Sequence, residues 1–269
     1  MHGSSRLLAS RRRLVRSGPL VVVAFISAGC NAILGPSSVD DNWHSFDSGH
    51  FTLYVRPGSF AEGNQGRLGE VLDDQYGATL AALNVSYAGR ISAFLYSDAA
   101  DGKLDSNRSG VAYAATEALR ATCTPPLDGN LFVLLQHEAN HVIQRNTLGR
   151  PGTSFMNEGL PSAVLSTRFH DYGKDFLYAW TADHLSAIPP LTNLVDDEQW
   201  VGSQVAYNAS ASFLAYLLEQ HGAGPIKELF QVSSKAFGQR IQTLYGRSLD
   251  DLDREWRAFC VAHRTSSLS

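Results

Sequence analysis

The chain has no apolar run long enough to cross a membrane. Its most hydrophobic stretch, Leu20 to Ile26, falls far short of the roughly 20 residues a spanning helix needs. It also has no internal repeat and no low-complexity block, which excludes solenoid, propeller and fibrous architectures. Cysteine is scarce, with three in 269 residues. Positive charge is scarce too, beyond the first 29 residues. Those hold five arginines (6, 11, 12, 13 and 16) and no acids, leaving 17 basic against 26 acidic residues and a formal charge of −9. That balance argues against nucleic acid as a partner. What remains, at 44% hydrophobic content, can bury a sizeable core in one or two domains.

The start of the chain reads as an export segment. The stretch "RRRLVRSGPLVVVAFISAGC" runs from cationic to briefly apolar to small residues and ends at Cys30, so residues 1–29 are set aside as a signal peptide. Ala28, Gly29 and Cys30 resemble a bacterial lipobox, which implies a lipid on Cys30 and a membrane-anchored, exported protein; Ser27 departs from the large aliphatic usual there. Residues 10–16, "SRRRLVR", are similar to a twin-arginine export motif, and a generic cationic segment fits them equally. Residues 30–42 then read as the lipidated Cys and a polar tether. With Cys30 so used, Cys123 and Cys260 remain, either as one disulfide or as two buried thiols.

From residue 43 the pattern is globular. "HFTLYVR" (50–56) alternates as a strand and stops at Pro57-Gly58. Leu68, Val71, Leu72, Gln75, Tyr76, Leu80 and Leu83 follow at helical spacing, and "RISAFLYSD" is a second strand. "GVAYAATEALRA" is the next strand or strand pair, before Pro125-Pro126. From Asp128 the chain turns helical, with Leu131, Leu134, Leu135, Val142 and Ile143 as an apolar stripe, and it stays mainly helical after Met156. In the last helix, Ser248 and Asp251 give a capping signal, and Leu249, Leu252, Trp256 and Phe259 form the buried face. The expected class is α+β: a sheet-containing portion with a mixed sheet over 43–127, a helical lobe over 128–265, and a cleft between them.

Within that first long helix, "LLQHEANHVIQR" carries His137, Glu138 and His141 as H-E-x-x-H. Residues i and i+4 share a helix face, so both imidazoles can meet one cation, with Glu138 leaning over the same spot. With 9 histidines and 9 glutamates in the chain, chance would give the order in about 1% of such chains, so a third ligand is required to carry the argument. The extended form with Gly and His soon afterwards is excluded by Gln144 and Thr147. Glu158, in "FMNEGLPSAV", lies seventeen residues after His141, where a helix, a turn and an antiparallel helix would return a carboxylate to the histidines.

H-E-x-x-H followed by N-E-G-L resembles the gluzincin metallopeptidases, in particular small bacterial MA-like members with a thermolysin- or aminopeptidase-type catalytic unit. "YNASASFLAYLLEQHGAGPIKELFQ" and "LYGRSLDDLDREWRAF" are similar to later segments of that family, so the likeness spans about residues 50–262. It implies a zincin-like fold, Zn2+ held by His137, His141 and Glu158, and Glu138 as general base acting on a zinc-activated water to hydrolyse a peptide or protein substrate. It also implies an oxyanion donor from a later helix, for which Tyr207 is the first candidate and His221 and His184 the next. "GVAYA" is a candidate strand for binding substrate edge-on. Two departures stand out: Pro161 where the family has Ala, and Ser162 where some relatives place an acid that orients a histidine, so the ligand's supporting partner has no sequence candidate. His44, His50, His170 and His263 read as structural or surface residues. The rival expectation is a surface lipoprotein that keeps this fold, with or without zinc, as a catalytically silent binding or assembly module.

Overall fold

Alternating runs build the sheet. In the computed structural model, which describes residues 42–104, 110–113 and 116–266, β2 (Phe51–Val55) and β3 (Ile91–Tyr96) are the two expected strands, and they pair in parallel. The residues read as an export signal, Cys30 and the expected tether as far as residue 41 lie outside the described residues. Ahead of β2, β1 (His44–Asp47) pairs with it antiparallel, a strand that the sequence left unassigned. The third run is a strand pair, β4 (Gly110–Tyr113) and β5 (Ala118–Thr122), paired antiparallel, with β5 parallel to β3. The sheet is mixed, in the order β1-β2-β3-β5-β4, with β1 and β4 as its outer strands.

Period-two alternation sends Phe51, Leu53, Val55, Ile91, Ala93, Leu95, Leu119 and Ala121 to one face, all fully buried. The short α1 (Phe60–Gly63) and long α2 (Gln65–Leu83) follow β2, and α2 lays Leu68, Val71, Leu72 and Tyr76 on that face. Beside it runs α3 (Gly129–Leu148), contributing Leu131, Leu135, Ala139, Val142 and Ile143. Each such aliphatic side chain adds about 1.5–3 kcal/mol when fully buried. Asp128 opens α3 by accepting from Asn130 N and Leu131 N, the side-chain cap that satisfies orphan amides. Gly149, at φ 86°, closes it, a left-handed conformation that glycine adopts without strain.

The C-terminal lobe is helical, as expected: α4 (Ser154–Ala163), α5 (Lys174–Asp183), α6 (Leu191–Leu194), α7 (Gln204–His221), α8 (Ala223–Leu229), α9 (Ser234–Tyr245) and α10 (Leu249–Ser266). Its core joins Phe155, Leu160, Phe213, Leu214, Leu217 and Trp256. Gly159 lets α4 and α7 meet closely, since a Cβ there would stand 2.7 Å from Ser210 Cβ. The α10 start bears out the capping signal: Ser248 Oγ accepts from Asp251 N at 3.1 Å while Ser248 N donates to Asp251 Oδ2. The Cys123–Cys260 bridge is not made. Both thiols are free, and they lie in different cores, Cys123 under the sheet and Cys260 among the lobe helices. No helix among the described residues is long and apolar enough to cross a membrane.

Candidate metal centre

One helix and its return bring three potential metal ligands together. His137 and His141 project from α3 one turn apart, and α4 comes back antiparallel, so that Glu158 arrives opposite both. His137 Nε2 and His141 Nε2 are 2.9 Å apart, and Glu158 Oε2 lies 3.4 Å from the first and 3.7 Å from the second. At that distance either a shared ring proton or a metal ion can bridge the two nitrogens. A point equidistant from all three atoms lies about 2 Å from each, close to the 2.0–2.1 Å of zinc–nitrogen bonds. The donor set therefore fits, and this buried group can hold a metal ion. His137 and Glu158 are buried, whereas the His141 side chain keeps 16% exposure, so the site opens towards solvent on that side.

The electrostatics favour a cation. Burial opposes ionisation of Glu158, but the two imidazoles outweigh it and hold the carboxyl well below the usual range. Burial, then the neighbouring His141, keeps His137 below its ordinary value and hence neutral, the form a metal needs. Burial also works against charge on His141, but Glu158 with Glu138 behind it raises that ring. A buried carboxylate facing two rings is a site with negative charge to share.

Ser162, marked in the sequence only as a departure, is the missing support. His137 Nδ1 and Ser162 Oγ are hydrogen-bonded at 2.9 Å; when Nε2 binds a metal, Nδ1 carries the ring proton and donates it to that oxygen. Ser162 lies four residues after Glu158, so one face of α4 supplies both a ligand and the partner that fixes the opposing ring. Asn157 Nδ2 donates to Glu158 Oε1 at 2.6 Å, leaving Oε2 for the histidines.

Glu138 is one step round α3 from His137, 4% exposed, with its side chain against β4: a Cβ on Gly110 would stand 2.8 Å from Glu138 Cγ and Oε1. Tyr207 is buried in the first turn of α7, edge-on to Trp200 at 6.0 Å, one turn before the Ser210 that packs on Gly159. His221 stands at the far end of α7, fourteen residues on and so about 21 Å along the axis, against Tyr245. It does not share a site with Tyr207. His184 is spent at the α5 terminus, stacked on Trp180 and donating Nδ1–H to its carbonyl. Of the histidines read as structural, His50 stacks on Tyr76, His44 pairs with Glu62, and His170 bonds Gln136.

Compared with known proteins, the sequence matches no protein-family model and no curated protein.

Proposed function

We propose that the chain is a zinc-dependent peptidase, exported and lipid-anchored through Cys30, of the gluzincin kind that its motifs resemble. The observation that carries this reading is the His137–His141–Glu158 triangle, with edges of 2.9 to 3.7 Å and a buried carboxylate, Glu138, at its side. When bound, zinc supplies a water acidified towards a pKa of about 7 and polarises the substrate carbonyl.

The protein's own residues do the rest. Glu138 takes a proton on its carboxylate and passes it to the departing amine. Ser162 and Asn157 hold His137 and Glu158 in orientation. An extended substrate lies along β4, an outer strand that passes directly beside Glu138 through Gly110. Tyr207, on the helix seamed to α4, is the proposed donor to the developing oxyanion.

The test pairs metal content with cleavage. The wild-type protein should bind one zinc and cleave members of a peptide mixture. Glu138→Gln should keep the zinc and lose about 10²- to 10⁴-fold in kcat. No stoichiometric zinc in the wild type would sink both the metal and the peptidase readings. Zinc retention with no cleavage in either protein would favour the binding-module alternative.

A further inference from the structure

Helix α4 carries Glu158 and Ser162, yet it is poorly equipped to hold itself in place. It has ten residues, below the length at which an isolated helix is stable in water. Pro161, inside it, has no N–H to give to Asn157 O. Its C-terminus is closed by Val164 rather than glycine and has no basic residue in the last turn, so its final carbonyls need partners from elsewhere.

Buried side chains of two other helices supply them. Asn140 Nδ2, from α3, donates to Pro161 O at 2.7 Å. Gln75, from α2, donates Nε2–H to Val164 O at 2.9 Å and accepts from Ser166 N at 2.7 Å. Gln75 Nε2 also donates to Asn140 Oδ1 at 3.0 Å, and Thr79 Oγ1 bonds the same oxygen. Gln75, Thr79 and Asn140 are all 0% exposed.

We propose that Asn140 and Gln75 are positioning residues of the metal centre: together they fix how far α4 sits along α3, and so where Glu158 and Ser162 meet His137. This rests on the metal-binding reading of the triad. Asn140 lies between His137 and His141 on one rigid helix, and its acceptor, Pro161, lies three residues after Glu158. The amide contact is therefore within one turn of every ligand. Apolar side chains would fill the same volume at lower desolvation cost, but they tolerate a slide of α4. Hydrogen bonds of 2.7 to 3.0 Å weaken steeply on small displacements, so they define register. The zinc triangle needs that definition, since its edges must hold to a few tenths of an ångström.

The test separates positioning from stability. Zinc affinity is measured by competition with a chromophoric chelator on the purified full-length chain, and the thermal midpoint is measured on the metal-free protein. Gln75→Met keeps the packing and removes the amide, Asn140→Ala removes the link to Pro161, and Thr79→Val removes only a hydroxyl. Ser212→Ala, which strips the partner of Trp256 Nε1 in the lobe core, is the control for a remote loss of a buried bond. Gln75→Met and Asn140→Ala should each weaken zinc binding about 10- to 100-fold, and Thr79→Val less. Ser212→Ala should lower the midpoint and leave affinity within about threefold, a bound set by the tenfold expectation. Wild-type affinity in all three network variants, or an equal loss in the control, overturns the proposal while leaving the metal site intact. A wild-type chain that binds no zinc overturns both.

Discussion

Gly110→Ala should impair the proposed chemistry without touching a ligand. The new Cβ would stand 2.8 Å from Glu138 Cγ and Oε1 and 3.0 Å from Cδ. Carbon contacts become favourable near 3.5 Å, so something must yield by roughly 0.7 Å. Glu138 is 4% exposed, and its flexible side chain gives more easily than backbone does. The strand is held to β5 through the Gly110–Ala121 and Val111–Arg120 pairs. Whichever side gives, the carboxylate and the sheet edge are re-spaced by most of an ångström, and a misplacement of about 1 Å can cost about 10²-fold in rate. The assay is kcat/KM on the best-cleaved member of a peptide mixture, with zinc content measured in parallel. Activity should fall about 10- to 10²-fold while zinc stoichiometry holds. Activity within about twofold of wild type would refute the idea that β4 and Glu138 are spaced for catalysis, the predicted loss being at least about tenfold. Loss of the zinc would refute the claim that the ligands are held independently of β4.

Two further outcomes follow from the same geometry. Ser162→Ala should weaken zinc binding about 10- to 100-fold by freeing His137 Nδ1, and Ser162→Thr should restore it; chelator competition reads both, and unchanged affinity in the alanine variant would remove Ser162 from the site. His170 is held neutral, its Nδ1 accepting from Tyr172 N and its Nε2–H donating to Gln136 Oε1. Burial keeps it below its ordinary value of 6.5, against a smaller opposing effect of Asp171. A folded-state value below the unfolded one means that the neutral ring stabilises the fold above about 6.5 and loses that contribution as pH falls through the folded value. Denaturant unfolding of the metal-free protein at stepped pH should show that decline, and His170→Gln should flatten it; identical slopes would exclude His170 as its source.

The metal triad is legible in sequence because its signal is local. Two histidines at i and i+4 need only a helix, and Glu158 needs only the turn that Gly149 begins. The β-α-β start is legible for the same reason, since alternation and helical spacing each describe one segment. Ser162 is different. Its bond to His137 depends on how α4 is rotated against α3, and no window of sequence contains that angle. Gln75 falls on the buried stripe of α2 in the sequence, but its partners stand 65 to 91 residues further on, so its spacing reads as core and its purpose does not. Strand β1 has four residues, too short for alternation to register against its polar neighbours. The cysteines show the limit of counting. An even pair in a suitable compartment carries no information on distance, and here two separate cores keep the thiols apart.

Strand β4 forms one edge of the sheet. Among the described residues β4 has a single neighbour, β5, so its other rank of amides and carbonyls is not taken up by the sheet. A row of groups that the sheet does not pair is a template for any extended chain, a second molecule of this one included. Pairing of two copies through β4 would cover the edge beside Glu138, so self-association would hide the same edge that the proposed substrate needs.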